Sequence, residues 1–284
     1  MPETKKNMVW LASYPKSGNT WFRIFLSNLF SGAPEAVHIN NLTVSYISSN
    51  REIIDSYLGI HSSELTAEEI DKLRPQVFRR LSEESEATAY VKTHEAWAVN
   101  SDGNPLFPKD ITQGVIYLIR NPLDVAISYS YHNRESIDDT VSILNKDTTK
   151  LCETKERVSI QTQQVLNSWS NHVSSWTEKS GLPVHVIRYE DMLDHPLEAF
   201  HGAIDFLGLN YGESEIRNAI KNSSFDTLQG MESNDGFKER GIYSDAFFRI
   251  GKSHQWESEL SRTQIEEIVK HHGKIMKRFG YLNQ

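Results

Sequence analysis

Between Met8 and Asn28 the chain reads MVWLASYPKSGNTWFRIFLSN. A continuous apolar run, Met8 to Ala12, breaks at Ser13, Tyr14 and Pro15, passes through Lys16, Ser17, Gly18, Asn19 and Thr20, and resumes with apolar residues at Trp21, Phe22, Phe25, Leu26 and Leu29. The first pattern is that of a strand and the second that of an amphipathic helix, so a tight turn falls at a helix N-terminus. Unsatisfied N–H groups and the positive end of the macrodipole stabilise an anion there. Lys16 adds a cation, Ser17 and Thr20 add hydroxyl donors, and Gly18 lets the backbone approach closely because it has no Cβ. Phosphate or sulfate binding suits these residues. A plain strand-to-helix connection with a solvated lysine is the alternative on this stretch alone.

The rest of the chain continues in the same idiom of strands and helices, which makes the expected fold class α/β. Thr66 with Glu69 forms a capping box for a helix carrying Ile70, Leu73, Val77 and Leu81, and Pro75 is expected to divide or kink it. Thr88 to Lys92 reads as a short strand followed by Thr93, His94 and Glu95. Ligands of open parallel sheets bind beyond the carboxyl ends of strands, so Lys92 and His94 fall on the same rim as Lys16. Gly114 to Ile119 is an apolar run with the character of a central strand. Arg120 follows it, with Asn121 as N-cap and Pro122 in the first turn of a helix, and Ser128 lies about two turns further on. Residues 137–155 read as polar loop, and Arg157 to Glu178 as a long helix burying Val158, Val165, Trp169, His172, Val173 and Trp176. Pro183 to Tyr189 is another strand, followed by Glu190 and Asp191, which on their own could simply cap a short helix. Helices are expected from His195-Pro196 to Gly208, around Glu213 to Lys221, and from a Ser261/Gln264 capping box onward. Residues 233–255 read as a long functional or mobile loop, and the adjacent His271-His272 pair as structural.

Charge narrows the function. Against 30 Lys and Arg stand 38 Asp and Glu, a formal charge of −8, which argues against nonspecific binding to nucleic acid or an anionic membrane. An anionic ligand must then be held by a local cationic cluster. Cys152 is the only cysteine, so neither an internal disulfide nor a cysteine-based zinc site is available, which suits a reducing cytoplasm. No apolar run has the form of a signal peptide or the length of a membrane span. The turn is not a Walker A loop: Lys16 precedes Gly18, and no glycine stands five residues before Gly18. Where a kinase needs an acidic Mg²⁺ ligand after a neighbouring strand, this chain has Arg120, whose planar fork suits phosphate and repels a metal.

Tyr14-Pro15-Lys16-Ser17-Gly18-Asn19-Thr20-Trp21 resembles the 5′-phosphosulfate loop of the sulfotransferases, Y-P-K-[SA]-G-[TN]-[TN]-W. Arg120, Asn121, Pro122, Asp124 and Ser128 resemble that family's 3′-phosphate signature, R-[ND]-P-x-D-x-x-x-S, and Lys92 with His94 its K-x-H element. Tyr189-Glu190-Asp191 resembles Y-E-D, with the tyrosine beside the adenine, and Ser223-Ser224-Phe225 resembles T-S-F near the same base. Arg249 to Trp256 is similar to R-K-G-x-x-G-[DE]-W: Arg249, Gly251 and Trp256 fit, Ile250, His254 and Gln255 depart, and Lys252 could serve as a shifted cation.

The resemblance implies a P-loop-like three-layer sandwich with a central, mainly parallel β-sheet flanked by helices. It implies a single domain, 1–284, with the loop at 233–255 and a helical lid at 36–85, a plain packed surface helix being the alternative for the helical part of that stretch. The implied donor is 3′-phosphoadenosine 5′-phosphosulfate, the product 3′-phosphoadenosine 5′-phosphate, and no metal is required. Lys16, Ser17, Gly18, Asn19 and Thr20 would hold the phosphosulfate; Arg120, Ser128, Arg249 and Gly251 the 3′-phosphate; Trp21, Tyr189, Ser224 and Phe225 the adenine. Lys16 and Lys92 would stabilise the transferred group, and His94 would be the general base toward a hydroxyl or amine of a small-molecule acceptor. The rival readings are a P-loop kinase using ATP and Mg²⁺ and a noncatalytic nucleotide-binding protein. The acceptor and the oligomeric state are left open.

Overall fold

The computed structural model describes residues 5–153, 158–241 and 244–282. The elements of its first half are β1 (Met8–Ser13), α1 (Asn19–Ser31), β2 (Tyr46–Ile47), α2 (Arg51–Leu58), α3 (Ala67–Glu84), β3 (Ala89–Thr93), β4 (Thr112–Ile119), α4 (Pro122–Asn133) and α5 (Ile137–Asn145). Then come β5 (Lys150–Leu151), β6 (Gln164–Val165), α6 (Trp169–Ser174), β7 (Val184–Arg188), α7 (Tyr189–Asp194), α8 (Pro196–Phe206), α9 (Glu213–Asn222), α10 (Phe225–Asp235), α11 (Trp256–Glu259) and α12 (Arg262–Arg278). Five strands form one sheet in the order β2-β3-β1-β4-β7. β3 runs parallel to β1, with Met8 opposite Ala89 and Ala12 opposite Thr93, and β2 runs parallel to β3. All of β1 is buried, which a strand tolerates only when both of its faces are covered. The fold is α/β, a central, mainly parallel sheet flanked by helices.

The chain divides into two compact units. The first comprises Met1–Tyr14, Tyr46–Tyr117 and Lys146–Val186. Its core is aromatic: the Trp10 ring meets Phe78 of α3 and Phe107 edge-on, each at 5.0 Å between centroids, and the indole N–H donates to Thr112 Oγ1. The second unit comprises Pro15–Ser45, Leu118–Asn145 and Ile187–Gln284. Here α1 departs from its amphipathic pattern, being buried nearly all round from Asn19 to Leu29. Arg23, inside that helix, is 1% exposed; its Nη1 donates to both carboxylate oxygens of Glu239 at 2.8 and 3.0 Å, and its Nε to the Val44 carbonyl. A charge in the sequence is thus spent on an internal pair and marks no solvent face.

Several expectations need correction. Pro75 does not divide its helix: α3 runs unbroken from Ala67 to Glu84 behind the Thr66/Glu69 capping box. A proline cannot donate to the carbonyl four residues earlier, but Asn100 Nδ2 donates to that Asp71 oxygen at 3.2 Å and fills the gap. Residues 137–155 are not a loop throughout; Ser136 caps α5 through Asp139, and Thr140, Val141 and Leu144 give that helix a buried face. The long helix expected from Arg157 begins at a residue outside the described ones, and among the described residues the chain turns helical only at Ser168-Trp169. Before that point Thr162 N–H donates to Ser49 O and Arg51 N–H to Ile160 O, and Ala96 N–H donates to Val165 O. These long-range backbone bonds hold a β-branched, Ser/Thr-rich stretch extended, and they leave Ile160 84% exposed. Residues 233–235 close α10, and 242–243 lie outside the described residues.

Candidate active site

In the second unit the Lys16–Gly18 turn leads into α1 as the sequence requires. Gly18 is the N-cap with φ of 95°, a left-handed conformation open to glycine, and no side chain caps the helix. A Cβ at this position would stand 2.9 Å from both the Tyr189 ring and the Met192 methyl, so a side chain is barred by space as well as by backbone. Lys16 also has positive φ, 68°. Its ammonium lies 4.5 Å from the centre of the Phe247 ring. Ser17 is buried, and its hydroxyl has no hydrogen-bond partner among the described residues. Asn19 and Thr20 are buried in the first turn of α1.

Arg120 follows β4 and is 5% exposed. One arm of its guanidinium donates to the Lys16 carbonyl at 3.1 Å and the other to the Lys252 carbonyl at 3.0 Å, while its plane lies 4.2 Å from the centre of the Tyr189 ring. Its Nε is buried without a partner among the described residues. A fork with two fixed prongs holds two separate loops in one geometry, which a lysine could not do. Tyr189, at the start of α7, also meets Trp21 edge-on at 5.8 Å, and Trp21 Nε1 donates to the Ser223 carbonyl at 2.8 Å. Ser224 is the N-cap of α10, its hydroxyl 2.8 Å from that of Thr227.

The segment 247–256 is more firmly held than a mobile loop would be. Glu232 accepts from Phe247 N–H and Phe248 N–H, at 2.7 and 2.8 Å, one per carboxylate oxygen. Asp124, 1% exposed in the first turn of α4, accepts from His254 N–H at 2.8 Å and Trp256 N–H at 3.2 Å in the same divided way. Between these two anchors, Gly251 has φ of 64°, and a Cβ there would come within 2.2 Å of the Phe225 ring. Arg249 stacks on Tyr131 at 3.8 Å and donates to Gln255 Oε1 at 2.7 Å. Because Tyr131 stands three residues after the half-buried Ser128 on α4, Arg249 reaches the Ser128 face of that helix. Contacts therefore join Lys16, Gly18, Trp21, Arg120 and Tyr189, and separately Phe225 with Gly251; Ser17, Asn19 and Thr20 share the loop with the first set.

The sequence placed Asp124 in the 3′-phosphate signature without giving its carboxylate a task, and it gave none to Glu232 or Gln255. Nothing in the sequence showed that the Asp124 carboxylate faces backbone more than a hundred residues away.

Lys92 and His94 belong to the first unit. Lys92 ends β3 next to Thr93, opposite Leu11 on one side and Ile47 on the other, and is half-buried. His94 follows the strand. Its Nδ1 lies 3.0 Å from the Ser13 carbonyl oxygen and 3.1 Å from the Ser13 hydroxyl. A carbonyl can only accept, so Nδ1 carries the proton and Nε2 is the basic nitrogen. The next residue is anchored too: Glu95 forms a buried two-pronged pair with Arg74, and its carbonyl accepts from Trp176 Nε1.

Comparison with known proteins shows the family and the fold. The family model of the sulfotransferase domain matches residues 6–280. The luciferin sulfotransferase of Photinus pyralis is 24% identical over 291 residues, covering 94% of this chain and 70% of that one. Sulfotransferase 1B1 of Canis lupus familiaris is 26% identical over 280 residues, covering 90% and 84%. Among solved structures, mouse sulfotransferase SULT7A1 complexed with PAP superposes with a TM-score of 0.59 at 20% identity, covering 98% and 90%. Retinol dehydratase in complex with androsterone and inactive cofactor PAP gives 0.62 at 20% identity, covering 96% and 81%. Among the described residues no helix is long and apolar enough to cross a membrane.

Proposed function

From the premise that this chain belongs to the sulfotransferase domain family, we propose that it transfers a sulfuryl group from 3′-phosphoadenosine 5′-phosphosulfate to a hydroxyl or amine of a small-molecule acceptor. One observation carries the reading. Arg120 donates to the carbonyls of Lys16 and of Lys252, so the two segments assigned to the two anionic ends of one donor are gripped by a single side chain. The residues fit such a ligand: the N-terminus of α1 has no side-chain cap, the buried Ser17 hydroxyl has no partner among the described residues, and Gly18 and Gly251 sit where no Cβ is admissible.

In this proposal Lys16, Ser17, Gly18, Asn19 and Thr20 bind the phosphosulfate, and Arg120, Ser128, Arg249 and Gly251 bind the 3′-phosphate. Trp21, Tyr189, Ser224 and Phe225 bind the adenine. The donor supplies an activated sulfuryl group. Lys16 and Lys92 stabilise the charge that grows on the leaving oxygen and persists on the sulfuryl oxygens. His94 takes the acceptor proton on Nε2, held to that tautomer by the Ser13 carbonyl. No step is assigned to a metal. Residues 1–284 act as one domain of the family's kind, with 36–85 as lid and 233–255 as closing loop. The relatives' names support a cytoplasmic location, three being called cytosolic sulfotransferases of Arabidopsis thaliana.

The test incubates the protein with ³⁵S-labelled donor and 2-naphthol, 1-pentanol or aniline in the presence of chelator, beside a parallel series with γ-³²P-labelled ATP and Mg²⁺. Labelled sulfated product in the first series is expected. Phosphorylated product in the second, or donor bound and never consumed in the first, refutes the reading.

A further inference from the structure

A buried polar chain, so far without a role, ends on the backbone of His94. His172 of α6 and Tyr117 of β4 are both fully buried. His172 Nε2 lies 3.0 Å from the His94 carbonyl oxygen, which can only accept, so Nε2 carries the ring proton and Nδ1 is the acceptor. The Tyr117 hydroxyl, 2.7 Å from Nδ1, must therefore donate to it. The phenol oxygen in turn accepts from the backbone N–H of Tyr14. Each proton along Tyr14, Tyr117, His172 and His94 has one place. Burial holds the His172 imidazole down to about 4, so the ring is neutral near pH 7.

His94 needs such a hold because β3 ends at Thr93 and the sheet ladder no longer fixes it. Its ring is fixed by Ser13 and its carbonyl by His172, and a misplacement of about 1 Å in a reacting group costs on the order of a hundredfold in rate. We propose that His172, its tautomer imposed by the His94 carbonyl and matched by the Tyr117 hydroxyl, is a positioning residue that fixes the main chain of His94 and thereby the aim of the proposed basic Nε2. The proposal rests on the reading of His94 as general base.

The isosteric variants separate positioning from bulk. Glutamine places its amide nitrogen near the site of Nε2 and keeps donating to the His94 carbonyl, whereas asparagine reaches only as far as Nδ1 and cannot. In the whole 284-residue chain ¹⁵N-histidine NMR is expected to show a slowly exchanging His94 Nδ1 proton, and H172N should lose it. It should also lower kcat about thirtyfold to a hundredfold with whichever of the three acceptor probes is sulfated. Affinity for 3′-phosphoadenosine 5′-phosphate by calorimetry should stay within about threefold, because a positioning loss falls on the reaction and spares ground-state binding. H172Q should restore both signals to near wild type. Equal behaviour of the two variants, or a wild-type proton and kcat in H172N, overturns the inference. Should H172N fail to fold, Tyr117→Phe decides: it keeps the imidazole, removes the hydroxyl, and must lower kcat without changing nucleotide affinity. His94→Gln reports on the underlying reading alone. Turnover surviving there ends the base assignment and this inference with it; turnover lost there but retained in H172N removes only the positioning role.

Discussion

Asp124→Asn tests whether one buried carboxylate supports the proposed nucleotide site. The side chain is 1% exposed, and each oxygen accepts one backbone N–H, from His254 at 2.8 Å and from Trp256 at 3.2 Å. The amide keeps one acceptor and turns an NH₂ against the other N–H, so one hydrogen bond is lost and a buried donor is left facing a donor. Bonds to a charged acceptor contribute about 1.5–3 kcal/mol each, and the surviving bond weakens because its acceptor is now neutral, which puts the loss at about 2–3 kcal/mol. Those two bonds hold the stretch that carries Gly251 and Lys252 and lies beside Arg249. If they set its binding geometry, the dissociation constant for 3′-phosphoadenosine 5′-phosphate rises about thirtyfold to 150-fold. Adenosine 5′-phosphate, which lacks the 3′-phosphate, provides the control and should change by less than about threefold. Isothermal calorimetry with both nucleotides on both proteins decides the matter. An affinity for the bisphosphate within threefold of wild type, or equal losses for the two nucleotides, refutes the assignment of this stretch to the 3′-phosphate.

Gly251→Ala forces a Cβ toward the Phe225 ring at a φ of 64°, and the left-handed backbone alone costs about 1–2 kcal/mol; a lower melting temperature and weaker binding of the bisphosphate are expected, and an unshifted melt would contradict the close packing. Arg74→Met strands the buried Glu95 carboxylate, a change that costs about 3–5 kcal/mol in such pairs, whereas Arg74→Met with Glu95→Leu should recover much of that loss in denaturant melts. Burial pushes the Glu190 carboxyl up from 4.5. A raised folded-state value stabilises the protein below 4.5 and loses that stability as pH climbs through it, so the melting temperature of Glu190→Gln should fall less than wild type between pH 4.5 and 8. Parallel curves would show that Glu190 does not titrate differently in the folded state.

Much of this architecture could be read from local pattern. The change of period at Ser13 to Trp21, the Thr66/Glu69 and Ser261/Gln264 capping boxes and the Asn121-Pro122 helix start all appear where the residues put them, because each is decided within a few positions by hydrogen bonding and φ preference. The failures share the opposite cause. Residues 158–168 carry apolar spacing that suits a helix, yet backbone bonds to residues 49–51, distant in sequence, draw them out straight. Pro75 is tolerated only because Asn100, 25 positions along, supplies the missing donor. At the candidate site the residues proposed to meet a ligand were legible as motifs. The partners of the Asp124 and Glu232 carboxylates and of His172 Nε2 were not, since these are main-chain atoms, which carry no signature in a sequence.

The left-handed backbone of Lys16 has a practical corollary. A side chain other than glycine held at φ of 68° raises the free energy of the folded chain by about 1–2 kcal/mol, and no local turn requirement obliges the residue there to be lysine. Directed evolution for heat resistance alone would therefore drift toward glycine at position 16, yielding sturdier molecules that lack the cation proposed to hold the phosphosulfate. Any stabilisation campaign on this scaffold should freeze that codon first.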